Sequence, residues 1–381
     1  MKNHNFNSRY MILTLTLATL LAFFALQAGA VTTITTPHTG SINTNKDSVN
    51  ILVSSDGNNV LSPDTYESAI NTTSVRMVSI DKMDGGADSL VINSTGSATG
   101  IETSKGGIVS SDVAVVINNG YRGVDNTGGH VYLNGGVSFD VTAQGIFTDA
   151  SNTTAVTYVN PTEKYHTISS GSSSGTSAAA GIGAQNSGEV LIGRGSGSLN
   201  ISNPKNGIYV YNKGLVSSDA DLAINATGDT YAVGVENKGG TVNLSGVSID
   251  ATWVGINAPT ANAVTKINPA PGFNTINATG TGIYASNSGK VLIGAGSSSL
   301  NINSGSYGID VGSNGTVSSD ANLVIKNSTD HGILNSGGTV NLSGVSIDAP
   351  NTLDSNYSYD PNGYSGVSTY SAAAEYVETP L

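Results

Sequence analysis

The sequence GGTVNLSGVSIDA occupies Gly239 to Ala251 and recurs letter for letter at Gly337 to Ala349. A looser copy, GGHVYLNGGVSFD, occupies Gly128 to Asp140. Apolar residues in these copies lie two apart, as Val242 and Leu244 do, and this spacing places both side chains on one face of a β-strand. Because strands this short are not stable alone, the repeats are expected to stack on one another.

A shorter unit lies inside the long repeats and starts with glycine followed by isoleucine or valine. An Asn-x-Gly sequence and a valine-rich strand follow, as in Gly282-Ile283 and Asn287-Ser288-Gly289. Asparagine and glycine accept the left-handed backbone that a tight corner requires. Short strands, such corners and a period of about 22 residues predict a parallel β-helix of about 13 coils.

The repeats span most of the chain, and no window carries the apolar period of an α-helix, so we expect an all-β protein. We predict the β-helix over residues 75–349, with long repeats at 75–143, 181–251 and 282–349. Residues 31–74 are interpreted as a capping segment, and residues 350–381 as an irregular, tyrosine-rich segment in which Ser365-Gly366-Val367 could begin one more coil.

Two similar stretches, TAVTYVNPTEKYHTI and NAVTKINPAPGFNTI, interrupt the pattern at matching places. Proline cannot donate a ladder hydrogen bond, so Pro161, Pro269 and Pro271 argue against a central strand. We therefore predict loops that leave the coil at residues 150–180 and 257–281.

The first 30 residues are typical of a secretory signal peptide. Lys2 and Arg9 precede and flank an apolar run, Tyr10 to Leu26, and Ala28-Gly29-Ala30 supplies a cleavage pattern of small residues. We therefore predict export, with Val31 as the first mature residue.

Composition limits the kinds of partner. The formal net charge is −12, charged residues make up 11% of the chain, and there is no cysteine. An acidic chain with few arginines is a poor phosphate ligand, so no nucleic-acid partner is expected. Without disulfides, an exported protein must rely on hydrogen-bond ladders and packing.

Glycine-, asparagine-, serine- and threonine-rich coils such as GKVLIGAGSSSLNI, together with the signal sequence and the lack of cysteine, resemble the passenger domain of an autotransporter. The resemblance covers about residues 75–349. It implies a right-handed parallel β-helix carried to the surface of a Gram-negative bacterium. That family exports its passenger through a C-terminal β-barrel, and no such pattern precedes Leu381. We therefore expect a truncated passenger, or one that uses a separate outer-membrane β-barrel translocator.

A second resemblance is fainter. Asn203-Pro204-Lys205-Asn206-Gly207-Ile208 is similar to a motif of two-partner-secretion exoproteins of the filamentous haemagglutinin type. That family carries the motif near the mature N-terminus, whereas here it lies deep in the repeats. A variant corner followed by an ordinary Gly-Ile start is the favoured interpretation.

Parallel β-helices also include enzymes that cut acidic polysaccharides, and these need carboxylates about one hydrogen bond or one water apart. Two sets of aspartates recur once per long repeat: Asp112, Asp219 and Asp320 in VSSD, and Asp140, Asp250 and Asp348 at the end of VS-x-D. Members of one set would lie about 15–20 Å apart by the coil spacing. We therefore interpret them as corner residues that bond their own backbone, and expect no catalytic residue.

Other reactive groups are equally scattered. His38, His130, His166 and His331 have no i,i+2 or i,i+4 partner, so neither a metal site nor a cofactor is expected. No G-x-S-x-G sequence occurs. Trp253 is the only tryptophan, and packing at the edge of the core is favoured over stacking on a sugar ring.

The expected function is that of a non-enzymatic, exported adhesin that mediates attachment or aggregation of cells. Its expected location is the cell surface, the outer membrane or the medium, or the periplasm if no translocator is present. Its partner would be an unidentified glycan or protein of a host cell or of the cell surface. The alternatives are a secreted β-helical polysaccharide lyase or hydrolase, and a haemagglutinin-like exoprotein of the two-partner type.

Overall fold

The computed structural model describes residues 31–35, 38–44, 48–53, 60–63, 67–73, 76–83, 86–94, 96–151, 153–171, 179–348, 367–369 and 375–378. The predicted signal peptide lies outside these residues and stays a prediction. The described part of the chain contains 34 β-strands and no helix, as expected. Within these ranges there is accordingly no helical segment with the length and apolarity needed to cross a membrane.

The strand bounds, in chain order, begin with β1 (Val31–Thr35), β2 (His38–Thr39), β3 (Ile42–Asn43), β4 (Ser48–Val53), β5 (Val60–Ser62), β6 (Ile70–Thr73), β7 (Met77–Lys82), β8 (Ser89–Asn93), β9 (Thr99–Ser104), β10 (Ile108–Ser111), β11 (Ala114–Thr127) and β12 (His130–Leu133). They continue with β13 (Val137–Asp149), β14 (Val156–Val159), β15 (His166–Ser170), β16 (Ala180–Gln185), β17 (Glu189–Ile192), β18 (Leu199–Ser202), β19 (Asn206–Tyr211), β20 (Leu215–Ala226), β21 (Val233–Lys238), β22 (Thr241–Ala251) and β23 (Val254–Ala258). The last are β24 (Val264–Ile267), β25 (Asn274–Ala278), β26 (Thr281–Ala285), β27 (Lys290–Ile293), β28 (Leu300–Ser304), β29 (Tyr307–Val311), β30 (Thr316–Lys326), β31 (His331–Asn335), β32 (Thr339–Asp348), β33 (Val367–Thr369) and β34 (Glu375–Glu378).

Each coil contributes to three parallel sheets, which we number in the order in which the chain visits them. In the coil built from the repeated sequence, Thr241–Leu244 lies in sheet 1, Val247–Ala251 in sheet 2 and Val254–Ala258 in sheet 3. In sheet 1, Thr241–Leu244 pairs with Leu215–Ser218 of the preceding coil and with Val264–Ile267 of the next. All pairings between named strands are parallel, and the chain forms a right-handed parallel β-helix, which confirms the predicted fold class.

Within each sheet the register is kept from coil to coil, and the register shifts in β11, β20 and β30 lie at corners between sheets. Sheet 1 contains β1, β4, β7, β10, β12, β14, β17, β24, β27, β34 and the first parts of β20, β22, β30 and β32. Sheet 2 contains β2, β5, β8, β15, β18, β25, β28, the first parts of β11 and β13, and the second parts of β20, β22, β30 and β32. Sheet 3 contains β3, β6, β9, β16, β19, β21, β23, β26, β29, β31, β33 and the second parts of β11 and β13. From β4 to β32 the chain makes about eleven turns, and β1 and β34 extend sheet 1 by one strand at each end.

The core is the interior of the coil. Val242, Leu244, Val247 and Ile249 all point inward, as the two-residue spacing predicts, and each is at most 1% exposed. Because the register is kept from coil to coil, Leu244 and Ile249 stack on Ile267 and Ile276 of the next coil, whereas Val242 and Val247 lie opposite Thr265 and Asn274. Full burial of an aliphatic side chain stabilises the folded state by about 1.5–3 kcal/mol, so these stacked columns hold the rod together.

The glycine of the Gly-Ile start has a packing role. At Gly255, the first inward position of sheet 3, an added Cβ would lie within 3.0 Å of the Ile276 side chain and 2.6 Å from the carbonyl oxygen of Gly282. Both neighbours belong to the next coil. The same approach recurs at Gly145, Gly181, Gly207, Gly234, Gly282 and Gly308. We call these residues the glycine column, and only a residue without a side chain fits there.

One kind of Asn-x-Gly corner has the left-handed backbone that the sequence predicts. Its first two residues have positive φ angles, 44° and 68° at Asn212 and Lys213 for example. Asn186-Ser187 and Asn287-Ser288 have the same conformation. The asparagine side chain points outward here, and Asn212 Nδ2 donates to Asn186 Oδ1 of the preceding coil at 2.7 Å.

A second kind of corner, at which two glycines follow, buries its asparagine. Asn237 is fully buried, and its Oδ1 accepts a hydrogen bond from Gly240 N at 3.0 Å. Its Nδ2 donates to the Gly240 carbonyl oxygen and to Thr265 Oγ1, both at 3.2 Å. Asn126 and Asn335 are buried in the same way. The amide therefore satisfies backbone groups that the bend turns away from the sheets.

The loops predicted at residues 150–180 and 257–281 are wrong for most of their length. β14 and β24 lie in sheet 1 and pair with strands on both sides, and β15 and β25 do the same in sheet 2. Pro161, Pro269 and Pro271 lie at the corners between these strands, where no ladder hydrogen bond is required of them. Residues 152 and 172–178 lie outside the described part of the chain.

The terminal segments also continue the coils. Within residues 31–74, β4 pairs with β1 and β7, and β6 pairs with β3 and β9, so this segment adds coils and is not a distinct cap. The sequence shows no recognisable repeat there, but Ile51, Leu61 and Ile70 point inward and are buried like the core residues of the other coils. At the other end, Val367 begins β33, which pairs with β31, as the predicted partial coil requires. The remainder of residues 350–381, apart from β34, is outside the described ranges.

Candidate functional site

The aspartates of VSSD are exposed and far apart. Along sheet 1, Ser111 is followed in successive coils by Leu133, Val159, Ile192 and Ser218, each paired with the one before. Successive VSSD corners are therefore four coils, or about 19 Å, apart. The expected backbone bond is made by the neighbouring serine instead. Ser218 Oγ donates to the Ala220 carbonyl oxygen at 2.6 Å, and Ser111 and Ser319 do the equivalent.

The second aspartate set, Asp140, Asp250 and Asp348, lies in one outward column of sheet 2, again four coils apart. The members of that column are Asn93, Asn118, Asp140, Ser169, Ser202, Asn225, Asp250, Asn277, Asn303, Lys326 and Asp348. Asn277 Nδ2 donates to Asp250 Oδ1, and Asn303 Nδ2 donates to Asn277 Oδ1 at 2.7 Å. Asp250 therefore accepts a hydrogen bond from the next coil, and its interpretation as a corner residue was wrong.

The described histidines lie on three different sheets and do not meet. The side chain of His38 is not described. His130 stacks beside Tyr132 on sheet 1, His166 Nδ1 lies 2.8 Å from the Thr162 carbonyl oxygen, and His331 stacks beside Tyr307 on sheet 3. Among the residues that the structure describes, no three His, Asp or Glu side chains come together in a way that could hold a metal ion.

Sheet 3 carries a different outward column, which the sequence analysis missed. Its members run from coil to coil as Glu102, Asp125, Phe147, Gly183, Tyr209, Glu236, Asn257, Tyr284 and Asp310. We call it the sheet 3 column. It carries carboxylates at Glu102, Asp125, Glu236 and Asp310 and aromatic rings at Phe147, Tyr209 and Tyr284.

Two carboxylates are direct neighbours at one end of the sheet 3 column. Glu102 and Asp125 face each other in register, so their Cα atoms are about 4.8 Å apart. Ser68 Oγ donates to Glu102 Oε2 at 2.5 Å. Arg122 forms an ion pair with Asp125, and its guanidinium lies 4.7 Å from the centre of the Phe147 ring.

The electrostatics of this end raise the pKa of the Asp125 carboxyl above its usual range. Burial raises the pKa of the Asp125 carboxyl, Arg122 opposes that rise, and the nearby charges of Glu102 and Asp149 add to it. Asp149 behaves differently. Burial alone would raise its pKa, but hydrogen bonds from Ser151, Gln185 and Asn186 hold it below the usual range. Carboxylates whose pKa values are pushed apart are a feature of acid–base sites.

A second polar group lies farther along the sheet 3 column. Glu236 is only 5% exposed, and its Oε1 lies 3.1 Å from Lys238 Nζ. Asn257 Nδ2 of the next coil donates to Glu236 Oε2 at 3.1 Å. The Lys238 ammonium also lies 5.9 Å from the centre of the Tyr209 ring. This buried carboxylate therefore links two coils and a surface cation.

Trp253 does not pack at the edge of the core. Its side chain is 45% exposed at the corner between sheets 2 and 3. Tyr231 of the preceding coil lies beside it, and the two form an exposed aromatic pair.

A sequence signal for the sheet 3 column does exist. Each member lies two positions after the glycine of a coil start, as Asp125 follows Gly123 and Glu236 follows Gly234. Aligning the coils on that glycine would have placed all of these side chains in one line. The aspartates drew attention because they recur, whereas this column varies from coil to coil.

Comparison with known proteins adds no relative: no family model, curated protein or solved structure matches this chain.

Replacing Asp310 by asparagine is expected to raise the melting temperature at neutral pH. Burial raises the pKa of the Asp310 carboxyl above its usual range, so the folded state disfavours the charged form. That cost is absent below the pKa of the unfolded chain and complete above the raised pKa of the folded state. The advantage of Asp310→Asn should therefore shrink as the pH is lowered towards about 4.

Thermal unfolding of both proteins over this pH range is the measurement. The matched control is Asp320→Asn, at an exposed corner, which should change the melting temperature little at any pH. A pH-independent advantage of Asp310→Asn would contradict the burial argument.

Proposed function

We propose that this chain is a non-enzymatic, exported surface protein that attaches cells to a host surface or to one another, in the manner of an autotransporter passenger adhesin. The sheet 3 column carries the proposal. It places five carboxylate or amide groups and three aromatic rings along one side of the rod, at positions that the fold itself leaves free. Most of these outward side chains are half-buried, with Phe147 and Glu236 buried, and the half-buried ones suit many weak contacts made in parallel.

A β-helix supports such a role physically. Each coil advances the rod by about 4.8 Å, so about eleven coils hold their outward side chains at fixed positions over about 50 Å. Because outward positions recur at a fixed spacing along the rod, even though their side chains differ, binding to a repetitive surface gains strength through multivalency rather than through one tight pocket. Export through an outer-membrane β-barrel translocator belongs to the same proposal, as does location at the cell surface, in the outer membrane or in the medium.

The test compares adhesion and aggregation of cells that express the gene with cells in which it is deleted. Expressing cells should adhere or aggregate measurably more. The double variant Tyr209→Ala/Tyr284→Ala, which removes two rings from the sheet 3 column, should lower this by several-fold. The control Ser217→Ala/Asn243→Ala alters outward positions of sheet 1 and should leave it unchanged. Equal adhesion and aggregation with and without the gene would refute the proposal.

A second candidate is a secreted polysaccharide lyase or hydrolase. The register neighbours Glu102 and Asp125, with Asp149 close by, favour it. The pKa of Asp125 is raised and that of Asp149 is lowered, and nearby carboxylates shifted in opposite directions can act as acid and base. Pectin-like and alginate-like polymers are the substrates to assay with the purified protein. Product formation that is lost in Glu102→Gln and in Asp125→Asn would establish this candidate over the adhesin.

A further inference from the structure

Tyr231 and Trp253 form an exposed pair of aromatic rings at the corner between sheets 2 and 3. Their side chains are 63% and 45% exposed, and no other neighbouring pair of large apolar side chains in the described residues is comparably open to solvent. The ring centres are 5.7 Å apart and the planes are nearly perpendicular, at 86°. The two rings therefore meet edge to face, at nearly a right angle, and both remain open to solvent.

Hydrogen bonds fix the backbone beneath both rings. Trp253 N donates to the Ala232 carbonyl oxygen at 3.1 Å, and the Trp253 carbonyl oxygen accepts from Gly280 N at 3.0 Å. Tyr231 N donates to Asp229 Oδ1 at 3.1 Å. The backbone that carries the two rings is thus hydrogen-bonded across three successive coils, and this rigidity lowers the entropy that a ligand must remove on binding.

Gly280 leaves room for the indole. A Cβ added there would lie 3.1 Å from Trp253 Cδ1 and 2.6 Å from the Trp253 carbonyl oxygen. The next coil therefore has no side chain at the position where one would collide with Trp253. The exposure of Trp253 is built into the packing of two coils.

The size of the aromatic surface decides between kinds of partner. A large aromatic side chain buries about 150–250 Å² when it is covered, so the exposed parts of this pair amount to on the order of 200 Å². A stable protein interface needs about 800 Å² on each partner. The pair is too small for that, and it matches the apolar face of a single sugar ring.

The surroundings are polar and nearly neutral in charge. Thr252 Oγ1 donates to the Asp229 carbonyl oxygen and accepts from Ala232 N. Lys205 Nζ lies 3.8 Å from Asp229 Oδ2, so the cation and the carboxylate beside the rings offset each other. The polar groups here can donate to and accept from the hydroxyl groups of a ligand. Because the nearby charges offset each other, the site offers no net attraction to a strongly charged ligand.

We propose that the Tyr231–Trp253 pair binds a neutral pyranose ring of a surface glycan. The C–H groups of one ring face stack on the indole, because the aromatic face is the negative side of its quadrupole. The edge of the sugar lies against Tyr231, and its hydroxyls exchange hydrogen bonds with the polar groups of the Asp229 corner. The inference deepens the proposed attachment function and rests on it, because it names the class of ligand.

Trp253 provides its own readout, since it is the only tryptophan of the chain. The purified full-length protein is titrated with methyl glycosides and short oligosaccharides of glucose, galactose and N-acetylglucosamine, with tryptophan emission as the signal. A saturable change in emission with at least one of these probes is the expected result. Tyr231→Ala should weaken that binding at least tenfold while keeping the fluorophore.

Tyr211→Ala is the matched control, because Tyr211 is 46% exposed on sheet 3 and is not part of the pair. It should bind as the unaltered protein does. Trp253→Phe, followed by calorimetry, should bind more weakly than the unaltered protein and more tightly than Trp253→Ala. The assignment would be overturned if none of the sugars changed the tryptophan emission, or if Tyr231→Ala bound the sugar with unchanged affinity. Because the titration uses soluble protein, it gives its answer whether or not cells adhere.

Discussion

Replacing Gly255 by alanine is expected to destabilise the β-helix by about 2–3 kcal/mol. The added Cβ would meet the Ile276 side chain and the backbone of Gly282, both in the next coil. Neither can retreat without breaking the register of sheets 2 and 3. The added methyl group therefore separates two coils, and its effect should extend to the coils on either side.

Denaturant unfolding followed by hydrogen exchange measures both the size and the spread of that effect. In a repeat protein each coil contacts only its neighbours, so the loss of exchange protection should be greatest in β22 to β28 and fade towards the ends. Gly183→Ala is the control. It adds the same methyl group on the outward side of sheet 3, where the nearest atom is Phe147 Cδ2 at 3.4 Å.

At Gly183 the methyl group should be neutral or slightly stabilising, since alanine restricts the unfolded chain more than glycine does. Equal destabilisation by the two substitutions would show that the loss of glycine itself matters, and not the close approach of coils. That outcome would contradict the explanation given for the Gly-Ile start.

Replacing Asn237 by alanine is expected to lower the free energy of unfolding by about 2–4 kcal/mol. The substitution removes the acceptor of Gly240 N and a donor to Thr265 Oγ1, and both groups are buried. A buried donor left without a partner bears its full desolvation cost. The corner between sheets 3 and 1 should therefore open.

The change in free energy is measured by urea unfolding beside Asn243→Ala, a few residues along the same chain. Asn243 points outward from sheet 1, and its loss should change stability by less than about 0.5 kcal/mol. Similar losses for the two asparagines would mean that the buried amide is not what holds the corner.

The fold could be predicted because its determinants are local. Val242, Leu244, Val247 and Ile249 show the two-residue spacing of inward positions, and each is buried where that spacing places it. The corner asparagines were harder to interpret. Asn212 and Asn237 both precede Lys-Gly, yet one points outward and the other is buried, and only the second glycine after Asn237 distinguishes them.

The candidate site was less predictable because it depends on register between coils. Glu102 and Asp125 are 23 positions apart in the chain, and nothing local indicates that they face each other. The loop predictions based on proline were wrong for a related reason. Pro161 is incompatible with a ladder position, but the strands before and after it need only a corner between them.

The four-coil spacing of Asp140, Asp250 and Asp348 in one column has a consequence for how the length of this protein can change. A block of four coils could be duplicated or deleted without changing the kind of neighbour that each remaining coil has. This is because the coils joined at the new junction have equivalent corners. The rod would lengthen or shorten by about 19 Å in one genetic event, with its side faces still aligned. The distance between the two ends of the rod is therefore a trait that recombination can adjust in steps without redesigning the fold.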